Sequence, residues 1–276
     1  MSTTCHRLVL ANEKGGTGKS TLAVHLAVWL VGSGHPAHLI DLDRRQRTSF
    51  RYLENRRRHA AARGRELPMP EASVPADDAL ETAVEAAAKA GARVVVIDTP
   101  GRDSPEGRAA LAMADTLVTP INDSFVDLDL LGEVDDETFA IRRPSFYAET
   151  VWRAKAARAR RDGATLDWVL LRNRLSPLEA RNRRRVGAAL AELSRRVGFR
   201  IAPGLAERVI YRELFPSGLT VLDVDGELTL SHVAARAELR ELAASLGLDR
   251  LGRRDGPADV SRRSSDRHGP DMMGHA

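Results

Sequence analysis

The chain has 276 residues, 43% apolar but only 4% aromatic, so one large α/β domain, or at most two, must be filled with Leu, Val, Ile and Ala. The single cysteine, Cys5, excludes a disulfide framework or a cysteine-held cluster within one chain and fits a reducing compartment. No run of 18 apolar residues is present, no N-terminal secretory signal is visible, and the net charge of +4 rests on clustered arginines, which permits an anionic partner without requiring one.

Residues 6–11 read as a first buried strand, around the run Leu8-Val9-Leu10-Ala11. Lys19 to Val31 reads as a first helix, closed by Gly32 and Gly34. Between them lies Asn12-Glu13-Lys14-Gly15-Gly16-Thr17-Gly18-Lys19-Ser20-Thr21. Strand, glycine-rich loop and helix in that order are the context of a phosphate-binding P-loop. The glycines let backbone N–H groups close around phosphate oxygens, and the helix start adds its unpaired N–H groups. Lys19 supplies charge for the β- and γ-phosphates, and the Ser20 hydroxyl can ligate Mg²⁺. Glu13 stands where the plain motif has its first glycine, and Lys14 is an additional lysine inside the loop.

Ala37 to Asp43 reads as a parallel strand ending in two carboxylates, which completes a βαβ unit. Asp41 and Asp43 would share a strand face, with Asp43 toward the ligand edge of the sheet. Thr48 to Arg63 is a basic helix whose Arg51, Arg56, Arg57 and Arg58 read as a solvated charged face. Leu67 to Pro75 carries three prolines and reads as a loop, and Asp77 to Ala90 as a helix capped by Asp77 or Asp78. Arg93 to Asp98 then places an acid after four β-branched residues. Downstream of a P-loop this is a Walker B strand, with Asp98 expected to hold Mg²⁺ through water and Thr99-Pro100-Gly101 as a switch loop.

Asp115 to Ile121 is a further buried strand, ending in the polar loop Asn122 to Phe125. Glu149 to Arg161 is a basic helix, and Trp168 to Arg174 a strand. Pro177 to Val197 is a helix with Val186, Leu190, Leu193 and Val197 on one face. Arg181, Arg184 and Arg195 fall opposite, with Arg185 on the flank and no acidic neighbours expected nearby. Spacing alone fits a phosphate-backbone contact and a solubilising face equally well. Phe199 to Ala202 is a last strand, Pro203-Gly204 a turn, Arg208 to Phe215 a short helix, and His232 to Leu246 a closing helix packed through Val233, Leu239, Leu242 and Leu246. The histidines and Cys5 show no ligand spacing and read as structural. Residues 1–250 thus read as one α/β P-loop NTPase domain, a mostly parallel doubly wound sheet flanked by helices. Residues 251–276 read as a disordered polar tail.

The order Lys-Gly-Gly-x-Gly-Lys-Ser resembles the deviant Walker A box of the ParA/MinD ATPases. The segments Asn12–Leu26, Ile40–Ser49, Asn122–Gly132, Trp168–Leu175, Glu179–Arg185 and Arg196–Asp223 resemble more narrowly the MipZ family of division-site positioning ATPases. Ile-Asp-Leu-Asp-Arg-Arg-Gln-Arg-Thr-Ser and Ile-Tyr-Arg-Glu-Leu-Phe-Pro are the most specific stretches, while residues 57–92 match poorly. The resemblance implies ATP and Mg²⁺ as ligands, held by Lys14, Gly15, Gly16, Thr17, Gly18, Lys19, Ser20 and Thr21, with Asn173 and Pro203 on the adenine side. It implies an ATP-dependent homodimer in which each Lys14 reaches the other protomer's phosphates, and slow hydrolysis with Asp43 positioning the attacking water. It implies nonspecific DNA binding through a basic patch that maps onto Arg181 and Arg185, to which the helical face adds Arg184 and Arg195. Further implied are binding to the centromere-binding protein ParB, inhibition of FtsZ assembly, and a cytoplasmic, nucleoid-associated gradient from the cell poles without membrane attachment. A ParA-type partitioning ATPase and, from a different class, a P-loop metabolic ligase remain alternatives.

Overall fold

Short runs of β-branched and leucine residues become the strands of a parallel sheet in the computed structural model, which describes residues 5–122, 125–134, 141–175, 180–224 and 228–251. The strands are β1 His6–Leu10, β2 Ala37–Asp41, β3 Glu71–Ser73, β4 Val94–Asp98, β5 Thr116–Asn122, β6 Gly132–Val134, β7 Ile141–Pro144, β8 Asp167–Asn173 and β9 Arg200–Ala202. The helices are α1 Lys19–Gly32, α2 Thr48–Arg63, α3 Leu80–Lys89, α4 Pro105–Met113, α5 Phe125–Leu128, α6 Phe146–Asp162, α7 Ala180–Val197, α8 Ile210–Glu213 and α9 Leu230–Ser245. Strand order is β3-β2-β4-β1-β5-β8-β9, with every pairing parallel, and β6 and β7 form a separate antiparallel ribbon. The chain builds the sheet on one side of β1 as far as β4 and on the other side from β5 onward. The carboxyl end of β1 is therefore where the winding changes direction, the place where such sheets bind ligands.

Strand alternation sorts the core into two layers. Leu8, Leu10, Val94 and Val96 pack with α1, α2 and α9 on one face. Val9, Val95 and Ile97 pack with α3, α4, α6 and α7 on the other. The apolar face of α7 is as the periodicity predicts: Val186, Leu190, Leu193 and Val197 are all buried.

Several expectations are corrected. The proline-rich stretch contains the edge strand β3, because Pro68 and Pro70 lie outside its pairing of Glu71–Ser73 with β2. The third helix begins at Leu80 after Ala79, and Asp78 sits in a left-handed turn (φ 57°) instead of capping it. Helix α6 starts earlier than its acidic residue suggests, because the Ser145 hydroxyl caps it by accepting from Ala148 N at 3.0 Å. Arg56 is not on a solvated face: it is fully buried and bidentate to Asp223, at 2.7 and 2.8 Å. Val233 is half exposed, while Leu239, Leu242 and Leu246 do pack. The tail from residue 252 lies outside the described residues.

Candidate functional site

The loop after β1 is pinned at both ends. Asn12, buried, donates through Nδ2 to Pro120 O (2.7 Å) and accepts Lys14 N at Oδ1 (2.7 Å). At the far end Gly18 turns the chain into α1 with φ 90°, and a Cβ there would overlap Asn173 Nδ2. Asn173 itself donates to Thr17 O at 2.8 Å, so the tip of β8 is tied to the loop. Lys19 is only 6% exposed, and its Nζ donates to Lys14 O at 3.0 Å. Burial pushes its pKa down, against the pull of Asp98 and Asp43. This is a cationic, N–H-rich cradle built for an oxyanion.

Three carboxylates border it. Asp41 and Asp98 face each other in adjacent register on β2 and β4, both buried. Burial first, and then the Asp41 charge, push the Asp98 carboxyl up to about 7, with Ser20, Ser49 and Lys19 opposing. Asp98 Oδ1 is buried with no hydrogen-bond partner. An orphaned carboxylate oxygen beside a serine hydroxyl suits a divalent cation. Among the described residues no cluster of three or more His, Cys, Asp or Glu could hold a metal. A Mg²⁺ at Ser20 and Asp98 would therefore draw its remaining ligands from nucleotide phosphates and water. The two aspartates of β2 are not related by strand alternation as expected, because β2 ends at Asp41. Asp41 Oδ1 accepts Asp43 N at 2.9 Å and its Oδ2 accepts Ser49 Oγ at 2.8 Å. Asp43 is thus aimed by a turn, and with Gly15, Lys19, Ser20, Thr48, Thr99 and Gly101 it lines one cavity. Asp41, paired with Asp43 in the sequence but given no role there, orients the turn through its bonds to Asp43 N and Ser49.

Lys14 lies at the rim, its side chain 36% exposed. Its Nζ pairs with Asp127 Oδ1 at 3.1 Å, and Asp127 Oδ2 accepts Asn122 N at 2.8 Å. Lys14 and Lys19 therefore differ in kind: Lys19 is enclosed in the cradle, while Lys14 is partly exposed and paired with Asp127.

The match to the family model for ATPase MipZ covers residues 6–250. The chain belongs to the MipZ family of ATPases. No curated protein matches in sequence. An ATP complex of a Cyanothece McdA variant is similar in structure, with 18% identity over 88% of this chain and 96% of that one, and a TM-score of 0.57. MinD from Aquifex aeolicus is similar at 16% identity, 88% and 98% coverage and a TM-score of 0.58. MinD from Pyrococcus horikoshii, complexed with Mg-ADP, follows at 15% identity, 89% and 99% coverage and a TM-score of 0.56. At these identities the likeness confirms the α/β P-loop fold, and the family model carries the assignment.

The remaining MipZ-type candidates divide. A second cavity, beside the first, is lined by Asn173, Leu205, Ala206, Tyr211 and His25, which suits a purine base. Leu205 and Ala206, just beyond Pro203, line it, and Pro203 is not among its lining residues. Asn173 spends Nδ2 on Thr17 O and accepts Arg174 N at Oδ1 (3.0 Å), so its amide is already engaged with the backbone. The side chains of Arg181, Arg184 and Arg185 lie outside the described residues. Arg195 contradicts the expectation of no acidic neighbour: it pairs with Glu192, which also binds Arg196 at 2.8 Å. Among the described residues, no helix is long and apolar enough to cross a membrane.

Proposed function

We propose that this ATPase is a nucleotide-driven dimerising switch that positions the division site. The observation that carries this reading is the placement of Lys14 at the edge of the cradle, in a chain of the MipZ family. In this reading ATP lies across the P-loop, with the phosphates on Gly15, Gly16, Thr17, Gly18, Lys19, Ser20 and Thr21 and the base toward Asn173, near Pro203. Mg²⁺, when bound at Ser20 and Asp98, neutralises phosphate charge. Lys14 leaves Asp127 for the partner's phosphates. Without those phosphates Lys14 stays on Asp127 and makes no contact with the partner, so the dimer depends on nucleotide. Asp43 accepts a hydrogen bond from the attacking water, whose oxygen bonds the γ-phosphorus as the bond to ADP breaks. Hydrolysis is slow and returns the dimer to monomers.

The dimer binds DNA nonspecifically through Arg181, Arg184, Arg185 and Arg195 and inhibits FtsZ assembly, while ParB recruits the monomer. The result is a cytoplasmic, nucleoid-associated gradient from the poles. Light scattering of an Asp43→Ala variant with ADP and then ATP, followed by titration with nonspecific DNA, tests the switch. A dimer formed with ATP alone, and DNA binding by that dimer alone, is the expected result. A monomer throughout would move the reading toward a small-molecule enzyme.

A further inference from the structure

The phosphate cavity and the base cavity are distinct, and only Gly18, Thr21 and Arg174 line both. Of these, Arg174 alone carries charge. Its backbone is left-handed (φ 54°), a conformation arginine adopts reluctantly. The surroundings hold it there. Asn173 Oδ1 accepts Arg174 N, Leu175 N donates to Leu205 O at 2.9 Å, and Leu205 N donates to Arg172 O at 2.9 Å. The turn is thus fixed on both sides, and Asn173 links it to the P-loop through Thr17. Strain kept in place beside a cavity points to a task for the side chain. Arg174 is exposed, and among the described residues no carboxylate pairs with it.

We propose that Arg174 is a nucleotide-binding residue that grips the α-phosphate, where the phosphate chain passes toward the ribose and base. The inference rests on the nucleotide reading above. A guanidinium suits the place, because its planar fork can give two N–H donors to one phosphate. The α-phosphate is common to ATP and ADP. The contact therefore secures nucleotide in both states and leaves the discrimination between them to Lys14 and the γ-phosphate. Asn173, assigned to adenine by resemblance, becomes on this view the support that sets the Arg174 turn.

Calorimetric titration with ATP and with ADP, on the full chain and on Arg174→Gln and Arg174→Gly, is the test. Glycine accepts the left-handed backbone, so that variant removes the guanidinium without disturbing the turn. Its nucleotide-free melting temperature should equal or exceed that of the parent chain. Both variants should lose about tenfold in affinity for ATP and for ADP alike. A loss confined to ATP would overturn the proposal, because it would place the side chain at the γ-phosphate or in the dimer contact. Unchanged affinity in Arg174→Gly would also overturn it. Failure of the parent chain to bind either nucleotide would instead overturn the nucleotide reading itself.

Discussion

His25, on the inner face of α1, is held as a neutral imidazole. Its Nδ1 hydrogen donates to Thr21 O at 2.8 Å, which leaves Nε2 to accept Val221 N at 3.4 Å. Tyr211 stands edge-on to the ring with centroids 5.1 Å apart. Protonation would destroy the acceptor and bury a charge, and burial accordingly pulls the pKa down from 6.5 to about 4. Between those values the unfolded chain binds a proton that the folded chain refuses. Stability must therefore fall as pH drops from about 6.5 to about 4, by roughly 3 kcal/mol from this group. Urea unfolding at pH 7.5 and pH 4 should show His25→Asn losing less stability over that interval than the parent chain. Equal losses would show that His25 does not contribute to the acid limb. The histidines read as structural in the sequence; His25 is held by two backbone partners and also lines the base cavity. Which carbonyl and which N–H hold it is not local information, because one of them belongs to Val221, 196 residues away.

At the scale of elements, the contact between α2 and the segment before α9 turns on one buried pair. Ser49, Tyr52, Leu53 and Arg56 form the buried face of α2. Arg56 donates to Pro68 O (2.9 Å) and Gly218 O (3.2 Å) as well as to Asp223, which also accepts Thr220 N at 2.7 Å. Gly218 (φ 64°) lies so close that a Cβ would overlap the backbone of Arg56. Removing the carboxylate leaves a desolvated guanidinium, so Asp223→Ala should cost about 3–5 kcal/mol in urea unfolding. Replacing both partners, Arg56→Met with Asp223→Leu, should recover much of that loss. A double variant as unstable as the single one would show that the charge is not the source. The spacing Ser49, Tyr52, Leu53, Arg56 follows one helical stripe, yet the charge of Arg56 makes it read as part of a solvated face. The partner was not legible, because a basic helix offers several arginines and nothing local says which one a distant aspartate will enclose. The same limit explains β3, where three residues between prolines carry no periodicity to read and gain their state from pairing with β2.

For the whole molecule, the order P-loop, Asp-x-Asp, Walker B strand is enough to imply the winding of the sheet. Each motif sits at a strand end, and the right-handed crossovers leave little freedom in stacking the strands. Surface function is less constrained by that order, and α7 shows why. Its apolar stripe is buried, yet the arginines on its other positions are not equal. Arg195 and Arg196 share Glu192, so part of their charge is already neutralised within the helix. Counterion release on DNA depends on cations that reach phosphates, with a slope of about 0.9 in log affinity against log salt for each phosphate neutralised. Arg181→Ala combined with Arg185→Ala should therefore weaken binding of the ATP-bound dimer to DNA of any sequence and flatten the salt dependence by about that amount for each arginine that no longer reaches a phosphate. Arg195→Ala should change the slope less, because Arg195 is already paired with Glu192 within the helix and is less free to reach a phosphate. ATP-dependent dimerisation should persist in both variants, which separates a defect in DNA binding from a defect in the switch. Filter-binding titrations across a salt series measure the slope directly. If the Arg181/Arg185 double variant kept the parent slope, the arginine face of α7 would be a solubilising surface and the DNA would bind elsewhere.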